Sequence, residues 1–258
     1  MMKIRKLHII TGAGKDKDGA FREKLLEIIS ECGAKEVAAP EDAELIVVLG
    51  GDGSIMHASH TAQKYDIPLL GVNLGRIGYL AELETTELHR LREVLEGRYT
   101  EERRMMLTVS YGENEFICLN DVVIRAQTIH PARVTLKCDG QTVNTYRGDG
   151  LICSTPTGST AYSVSAGGAV VDPRLECVCI TPLCTQSLIA RPLIFSPDCL
   201  LTMKVEEGYE CMLTVDGDPP ITLSANDEIQ IGKCSRPLRM LRVSDDGFYT
   251  VLNKKLYI

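Results

Sequence analysis

The hydrophobic and polar positions of residues 1–99 alternate between short apolar runs and amphipathic stripes. The runs Lys6–Thr11, Leu45–Leu49 and Pro68–Asn73 have the length and composition of strands. Strands that alternate with helices predict a parallel sheet, Rossmann-like in type, whose ligands bind at the carboxyl ends of the strands, where Asp52 and Asn73 lie. Helical stripes are predicted at Phe21, Leu25, Ile28, Ile29 and Cys32, and at Leu88, Leu91 and Leu95.

Beyond Arg103 the pattern changes to many short strands with hardly any helical stripe. We therefore predict an α/β domain over residues 1–99 and an all-β domain over residues 100–247, joined near Tyr99–Arg104. The strands predicted in the second domain are Met105–Ser110, Glu115–Asn120, Arg133–Cys138, Leu151–Ser154, Cys177–Thr181, Leu200–Val205, Cys211–Val215 and Glu228–Ile231.

Charge and hydropathy exclude several classes of protein. The 258 residues carry a formal net charge of −7, which argues against a nucleic acid or an anionic membrane as partner. No apolar run approaches the roughly 20 residues that span a bilayer. The first ten residues lack the apolar core and cleavage site of a signal peptide. We expect neither nucleic acid nor membrane as a partner.

The ten cysteines are scattered, and no Cys-x-x-Cys pair occurs. Several, such as Cys118 and Cys153, lie in strand-like runs, where a free thiol behaves as a small hydrophobic residue. His57 and His60 share a predicted helix face, but no nearby carboxylate or Cys completes a zinc set. This pattern predicts a reducing, cytoplasmic location and no metal-ligating residues.

A glycine-rich loop, Gly50–Ser54, directly follows the strand-like run Leu45–Leu49 and precedes a predicted helix. Glycines there let a phosphate approach main-chain N–H groups at a helix N-terminus. Asp52 is unusual in such a loop because a carboxylate repels phosphate, which suggests work on a proton or a metal. The alternative is that Asp52 only caps the helix.

A second segment, Gly150–Tyr162, places Pro156, Gly158 and several hydroxyl side chains directly after an apolar run. A tight turn there is expected to direct N–H groups and hydroxyl oxygens into one concavity that holds a polar small molecule. The alternative is an ordinary hydroxyl-rich surface loop.

Three motifs taken together, Gly50–Ser54, Leu119–Val123 and Ser154–Tyr162, resemble those of the NAD kinase family in order and separation. The glycine loop alone is shared with diacylglycerol, sphingosine and 6-phosphofructo-kinases, whereas the hydroxyl-rich run is associated with NAD kinases. The resemblance implies a sandwich-like second domain and a last segment, 248–258, that returns to the first domain. Further agreement lies in Gly71–Leu80, Ser163–Gly168, Ser187–Pro192 and Val215–Gly217.

The resemblance implies transfer of a γ-phosphoryl group from ATP or polyphosphate to the 2′-hydroxyl of the adenosine ribose of NAD. Asp52 would accept the proton of that hydroxyl, and Gly51 and Gly53 would admit the donor phosphates. Asn120 and Asp121 would hydrogen-bond the substrate, although from the residues alone the pair could be an ordinary turn. Mg²⁺ is expected with the donor because it bridges and neutralises phosphates.

Further NAD-binding positions follow from the same resemblance. From the residues alone, the segment around Arg147 and Asp149 is interpreted as the tip of a solvated hairpin, and Tyr79 and Tyr162 could equally be packing residues. Tyr79 would lie near the adenine and Cys184 near the nicotinamide. The positions implied are Tyr79, Arg147, Asp149, Thr160, Ala161, Tyr162, Ser165 and Cys184.

Three positions depart from the family pattern. Ser54 stands where Thr is usual, Gln186 stands where many bacterial members have His, and Asp218 stands where Gln commonly follows the Asp-Gly pair. We expect Asp218 to be one of the nucleotide-binding positions. If it faces the dinucleotide, its carboxylate changes the charge of the site, because the usual Gln is neutral. These departures concern ligand preference more than reaction type.

Two other functions stay open at this point. A lipid kinase could use the same glycine-aspartate loop, but its acceptor site should be greasier than the hydroxyl-rich run. A dinucleotide sensor would keep the pocket without turnover, against which the presence of Asp52 argues. The resemblance further implies a homodimer or a homotetramer.

Overall fold

The computed structural model describes residues 2–75, 78–187, 190–243 and 247–256. The chain divides into two compact units, residues 1–103 with 238–258, and residues 104–237. The return to the first unit thus begins at Leu238 rather than at Phe248. Of the returning segment, residues 257 and 258 lie outside the described part.

The first unit alternates strands and helices up to its junction with the second. Short 3₁₀ turns span Pro40–Asp42 and Thr85–Arg90. The helices and strands are β1 (Lys6–Thr11), α1 (Ala20–Glu31), β2 (Lys35–Glu36), β3 (Leu45–Gly50), α2 (Asp52–Tyr65), β4 (Leu69–Asn73), β5 (Leu83–Glu84), α3 (Leu91–Leu95) and β6 (Thr100–Arg104).

The second unit consists almost entirely of strands. A 3₁₀ turn at Gly158–Thr160 precedes its one described helix. The elements are β7 (Leu107–Tyr111), β8 (Asn114–Cys118), β9 (Asp121–Ala126), β10 (Ala132–Cys138), β11 (Gln141–Gly148), β12 (Gly150–Ser154), α4 (Tyr162–Ser165), β13 (Val178–Leu183), β14 (Leu193–Phe195), β15 (Leu201–Val205), β16 (Cys211–Val215), β17 (Ile221–Leu223) and β18 (Glu228–Lys233).

After the second unit, the chain adds a strand and a helix to the first: β19 (Leu238–Arg242) and α5 (Phe248–Leu256). The resulting sheet has the order β2-β1-β3-β4-β19-β6, with β5 also pairing β4. The pairs β1–β2, β1–β3, β3–β4, β4–β5 and β4–β19 are parallel. Strand β3 is buried along its whole length, as expected for the centre of a sheet covered on both faces.

Helix α1 illustrates how the sequence sets the local structure of this unit. The Asp16 carboxylate accepts the N–H groups of Phe21 and Arg22 at 2.9 and 2.8 Å and so satisfies donors in the first turn. The predicted stripe is confirmed on its inner side, where Leu25 and Ile29 are buried against the sheet.

The second unit is a sandwich of two six-stranded antiparallel sheets. Their orders are β11-β10-β15-β18-β7-β8 and β14-β13-β12-β9-β16-β17. One apolar core takes side chains from both sheets, for example Val109 and Met203 from the first and Val122 and Ile180 from the second. The predicted fold class, an α/β unit followed by an all-β sandwich-like unit, is confirmed. Every helix in the described part of the chain is too short or too polar to span a bilayer.

Candidate active site

Three loops of the first unit meet at the carboxyl ends of β1, β3 and β4. The Gly12 N–H donates to the Leu49 carbonyl at 2.9 Å, and the Leu74 N–H donates to the Gly50 carbonyl at 3.1 Å. A Cβ atom added at Gly12 or at Gly50 would overlap the side chain of Ser54. Packing therefore requires these two glycines, and the Ser54 side chain fills the space that they leave.

Gly51 and Gly53 differ from these neighbours, because the described residues give no packing reason for a glycine there. A Cβ atom added at either would meet no described atom within 4 Å. Gly51 has a φ of −103°, which any residue can adopt. Both stand at the N-terminus of α2, where the helix dipole favours an anion. The open space suits the prediction that donor phosphates approach here.

Asp52 is the first residue of α2, and Gly51 rather than Asp52 stands at the N-cap position of that helix. One carboxylate oxygen of Asp52 accepts the Tyr79 N–H at 2.8 Å, and the other accepts the Leu80 N–H at 3.1 Å. A Cβ atom at Gly78 would overlap Asp52 Oδ1. The carboxylate is thus held in one orientation by the loop after β4, and the helix-cap alternative does not describe this geometry.

Tyr79 lies directly beside this carboxylate. Its N–H is bonded to Asp52, and its side chain is partly exposed. Burial, followed by the charge of Asp52, raises the pKa of the Tyr79 phenol, so this side chain stays a neutral hydrogen-bonding group at physiological pH. Its predicted position near the adenine stays a prediction. Residues 76 and 77 of the Gly71–Leu80 motif lie outside the described part.

Lys15 brings a positive charge to the same edge of the sheet. Its Nζ lies 3.3 Å from the position that a Cβ atom would take at Gly75, and Asn73 Oδ1 lies 3.9 Å from that position. Asn73 is itself fixed, because its Oδ1 accepts the Gly75 N–H at 3.0 Å and its amide donates to Glu84 at 3.1 Å. An exposed ammonium therefore stands among the loops that follow β1 and β4.

Asn120 and Asp121 stand where the chain of the second unit passes from one sheet of the sandwich to the other. Asp121 is the first residue of β9, and its carboxyl is buried. Burial, and then the charge of Asp216, raises the pKa of Asp121 to about 7, while the Tyr162 N–H acts in the opposite direction. The pair is therefore a link between sheets rather than an ordinary turn.

The hydroxyl-rich run differs from the expectation of one concavity lined by hydroxyl oxygens. Thr155 Oγ1 donates to the Leu119 carbonyl at 2.5 Å, and Ser159 Oγ donates to the Pro156 carbonyl at 2.7 Å. Thr155 and Ser159 are fully buried. These hydroxyls hold the loop in shape. Gly158 is likewise needed for packing, because a Cβ atom there would overlap the Asn120 carbonyl.

The end of this run presents the groups that the family resemblance assigns to NAD. Thr160 and Ala161 lead into the short helix α4, and Tyr162 is 38 % exposed. The packing alternative for Tyr162 therefore does not hold. Ser165, at the other end of α4, is also exposed. Because the Tyr162 N–H bonds the Asp121 carboxyl, the structure brings α4 and the Asn120–Asp121 link together.

Arg147, Asp149 and Cys184 form a separate group of the second unit. Arg147 and Asp149 are exposed, and they lie where β11 passes to β12 in the other sheet, not at a hairpin tip. The Gln186 N–H donates to the Arg147 carbonyl at 2.9 Å. A hydrogen bond to Asp149 raises the pKa of the Cys184 thiol. The structure thus gathers these predicted positions at one edge, while residues 188 and 189 of the neighbouring motif lie outside the described part.

Asp218 follows β16 by three residues. Its N–H donates to the Val215 carbonyl at 2.9 Å, which closes a tight turn around Asp216 and Gly217. Asp218 is partly exposed, whereas Asp216 is buried. The departure from the family pattern thus sits on a turn that is anchored by a buried carboxylate.

Sequence reasoning missed two groups that this geometry brings forward, Lys15 and Asp216. The signal for Lys15 was a Gly-Ala-Gly-Lys sequence directly after β1, which repeats the arrangement of glycines at a strand end seen after β3. Asp216 lies within the Val215–Gly217 segment that agrees with the family pattern, but this agreement predicted no role for it, because its contacts depend on which strand pairs with β16.

Comparison with known proteins identifies both units. The model of the ATP-NAD kinase N-terminal domain matches residues 17–102, and that of the ATP-NAD kinase C-terminal domain matches residues 119–243. The NAD kinase of Natranaerobius thermophilus is 38 % identical, and the alignment covers 98 % of both chains. The NAD kinase of Lachnoclostridium phytofermentans is 36 % identical over 98 % of this chain and 99 % of its own.

Solved structures share the fold. Yeast NADH kinase complexed with NADH superposes with a TM-score of 0.85 at 22 % identity, covering 100 % of this chain and 89 % of the other. An NAD kinase from Archaeoglobus fulgidus in complex with ATP gives a TM-score of 0.80 at 24 % identity, covering 98 % and 97 %. At these identities the likeness concerns the fold of the chain.

Proposed function

The chain belongs to the NAD kinase family, and we propose that it transfers the γ-phosphoryl group of ATP to the 2′-hydroxyl of the adenosine ribose of NAD. Relatives that match nearly the whole chain support this function. The observation that carries the chemistry is the carboxylate of Asp52, which is fixed by two backbone N–H groups beside two glycines with open space around them.

In the proposed reaction, Asp52 accepts the proton of the ribose 2′-hydroxyl as the hydroxyl oxygen attacks the γ-phosphorus. The new O–P bond forms while the bond between the γ-phosphorus and the β–γ bridging oxygen breaks, so the products are NADP and ADP. Such phosphoryl transfers are catalysed mainly by positioning and electrostatic stabilisation. The fixed orientation of the Asp52 carboxylate supplies the positioning of the base.

The donor phosphates need positive charge close to the glycine loop. We assign this role to Lys15, whose ammonium stands at the same strand ends, together with the N-terminus of α2. Mg²⁺, which we expect to arrive with the donor, would bridge and neutralise its phosphates. In the described part of the chain, no three His, Cys, Asp or Glu side chains come together in a metal-binding group.

The acceptor would be bound by the second unit. We assign its polar groups to Asn120 and Asp121, and to the exposed face of α4 with Tyr162 and Ser165, as the family resemblance implies. Arg147, Asp149 and Cys184 would bind another part of the same dinucleotide. We further propose a cytoplasmic location and a homodimeric or homotetrameric state on the same grounds.

The function is tested by incubating the purified protein with ATP, Mg²⁺ and either NAD or a diacylglycerol. We expect NADP, read enzymatically, and no phosphorylated lipid. Replacing ATP by polyphosphate defines the range of donors. Lipid phosphate without NADP would favour the lipid-kinase alternative, and NAD binding without turnover would favour the sensor; the family comparisons favour neither.

A further inference from the structure

Asp216, which directly follows β16, is a buried carboxylate that binds the backbone of the Asn120–Asp121 link. Its Oδ2 accepts the Leu119 N–H at 2.7 Å, and its Oδ1 accepts the N–H groups of Asn120 at 2.7 Å and Asp121 at 3.1 Å. The Cys118 thiol donates to Oδ1 at 3.3 Å. An ionised carboxylate only accepts hydrogen bonds, so four converging donors fit this form of Asp216.

The hydroxyl-rich loop holds the same link through its carbonyl groups. The Thr155 hydroxyl donates to the Leu119 carbonyl, and the Thr155 N–H donates to the Asn120 carbonyl at 2.9 Å. The Asp216 N–H donates to the Asp121 carbonyl at 2.9 Å. Both N–H and carbonyl groups of residues 119–121 are thus fixed, and so is the direction in which the two side chains project.

We propose that Asp216 is a positioning residue for the acceptor site: it fixes the backbone that carries Asn120 and Asp121, and it places a carboxylate at the main-chain N–H of Asp121. The inference rests on the proposed function, because it concerns binding of the acceptor. Asp216 is 4 % exposed and does not itself need to touch the ligand.

The charge effect follows from the groups around Asp121. Asp216 is the charged group that acts on it, and the Tyr162 N–H donates to it. The thiols of Cys118 and Cys153 also face it, but burial raises the pKa of both, so they are neutral near pH 7. Because the pKa of Asp121 is about 7, a protonated Asp121 can donate a hydrogen bond to NAD, whereas an ionised one adds repulsion toward an anionic dinucleotide.

The sign of the pH effect is therefore fixed. In the parent protein, affinity for NAD decreases as the pH rises through about 7, because Asp121 then ionises next to the ionised Asp216. Removing the charge of Asp216 lowers the pKa of Asp121, so the decrease moves to lower pH.

The test is Asp216→Asn, which keeps the shape of the side chain but removes its charge and leaves one acceptor oxygen where the carboxylate has two. We expect the KM for NAD to rise about tenfold or more, as for hydrogen bonds to a charged group, with the KM for ATP changed less than about twofold. The pH midpoint of the KM for NAD should also shift down, because the charge that raises the pKa of Asp121 is removed. A residue with only a structural role would not move this midpoint.

Asp227→Asn is the matched control, because Asp227 also anchors a loop of the second unit by accepting the Ser224 N–H at 2.8 Å and the Tyr111 hydroxyl at 2.7 Å. It should leave the KM for NAD and its midpoint unchanged. If the parent phosphorylates NAD but Asp216→Asn matches it in both, the inference is wrong; a parent without NADP formation would instead overturn the proposed function.

A measurement on the folded parent covers the case in which Asp216→Asn does not fold. Calorimetric titration of NAD into the parent between about pH 5.5 and pH 8.5 should show a midpoint near 7 that is lost in Asp121→Asn. A parent whose NAD affinity has no midpoint in this range would refute the proposed charge effect.

Discussion

Replacing Asp52 by Asn tests the chemistry most directly, because the change removes a negative charge and one acceptor while keeping the shape of the side chain. Both carboxylate oxygens accept a backbone N–H, from Tyr79 and from Leu80. The amide of Asn offers one oxygen, so its NH₂ group must face one of these two donors. The substitution therefore has a structural cost as well as a catalytic one.

The two costs differ in size. In Asp52→Asn, one of the two backbone N–H groups faces the amide NH₂ and loses its acceptor. At this partly exposed site, the loss should lower the free energy of unfolding by about 1–2 kcal/mol. Folded proteins typically have a free energy of unfolding of about 5–15 kcal/mol, so almost all molecules stay folded after this loss. Loss of a general base should instead lower kcat by about 10²–10⁴-fold. A fall of that size therefore cannot come from unfolding.

The assay is steady-state NADP formation at saturating NAD and ATP, with thermal unfolding measured on the same samples. Asp66→Asn is the matched control, because Asp66 ends the same helix with a φ of 53°, which Asn tolerates. It should keep full turnover. Gly78→Ala adds a complementary perturbation: its Cβ would overlap Asp52 Oδ1, so it displaces the carboxylate without removing it, and kcat should fall here too.

A turnover of Asp52→Asn within about threefold of the parent, at saturating substrates, would refute the role as general base. Full activity in Gly78→Ala would show that the orientation fixed by Tyr79 and Leu80 is not needed. A large fall in NAD affinity with kcat unchanged would instead assign Asp52 to binding.

Two further predictions concern charges near the ligands. Lys15→Met should raise the KM for ATP about tenfold, the scale of a hydrogen bond to a charged group, and leave the KM for NAD unchanged. Lys17 is an exposed neighbour in the same loop, so Lys17→Met should change neither KM. An effect of Lys15→Met on the KM for NAD alone would contradict the assignment of Lys15 to the donor. Asp218→Gln should lower the KM for NAD by removing repulsion toward the pyrophosphate, with little change in kcat. If the KM of Asp218→Gln for NAD equals that of the parent at every pH between about 6 and 9, Asp218 points away from the dinucleotide.

The sequence predicted the two fold classes because each has its own periodicity, but periodicity does not assign a strand to a sheet. Strand β19 shows the difference. Leu238, Met240 and Leu241 are buried, and the sequence placed them in the second domain. In the structure, β19 joins the parallel sheet of the first unit, where Met240 pairs with Leu69 of β4. This pairing joins residues far apart in the chain, so the local pattern carried no signal of it.

The parts of the site that depend on local sequence order could be predicted. The parts that depend on the pairing of strands far apart in the chain could not. The glycine-aspartate loop follows a strand and begins a helix, so its place at a sheet edge followed from local order alone. The role of Asp216 depends on β16 lying beside β9, with Val215 opposite Val122. The hydroxyl-rich run misled for a related reason, since its acceptors, such as the Leu119 carbonyl, come from a distant segment.

The glycines of the first unit give a physical criterion that separates structural from ligand-facing positions. Gly12 and Gly50 have no room for a Cβ atom because Ser54 occupies it, so folding alone requires them. Gly51 and Gly53 have open space and no packing reason for a glycine among the described residues, so a partner other than those residues would have to exclude a side chain there. A bound phosphate is such a partner, because it must approach the N–H groups of the first turn more closely than a Cβ atom would allow. The loops after β1 and β3 thus use Gly12 and Gly50 to build their shape, and Gly51 and Gly53 leave that shape accessible.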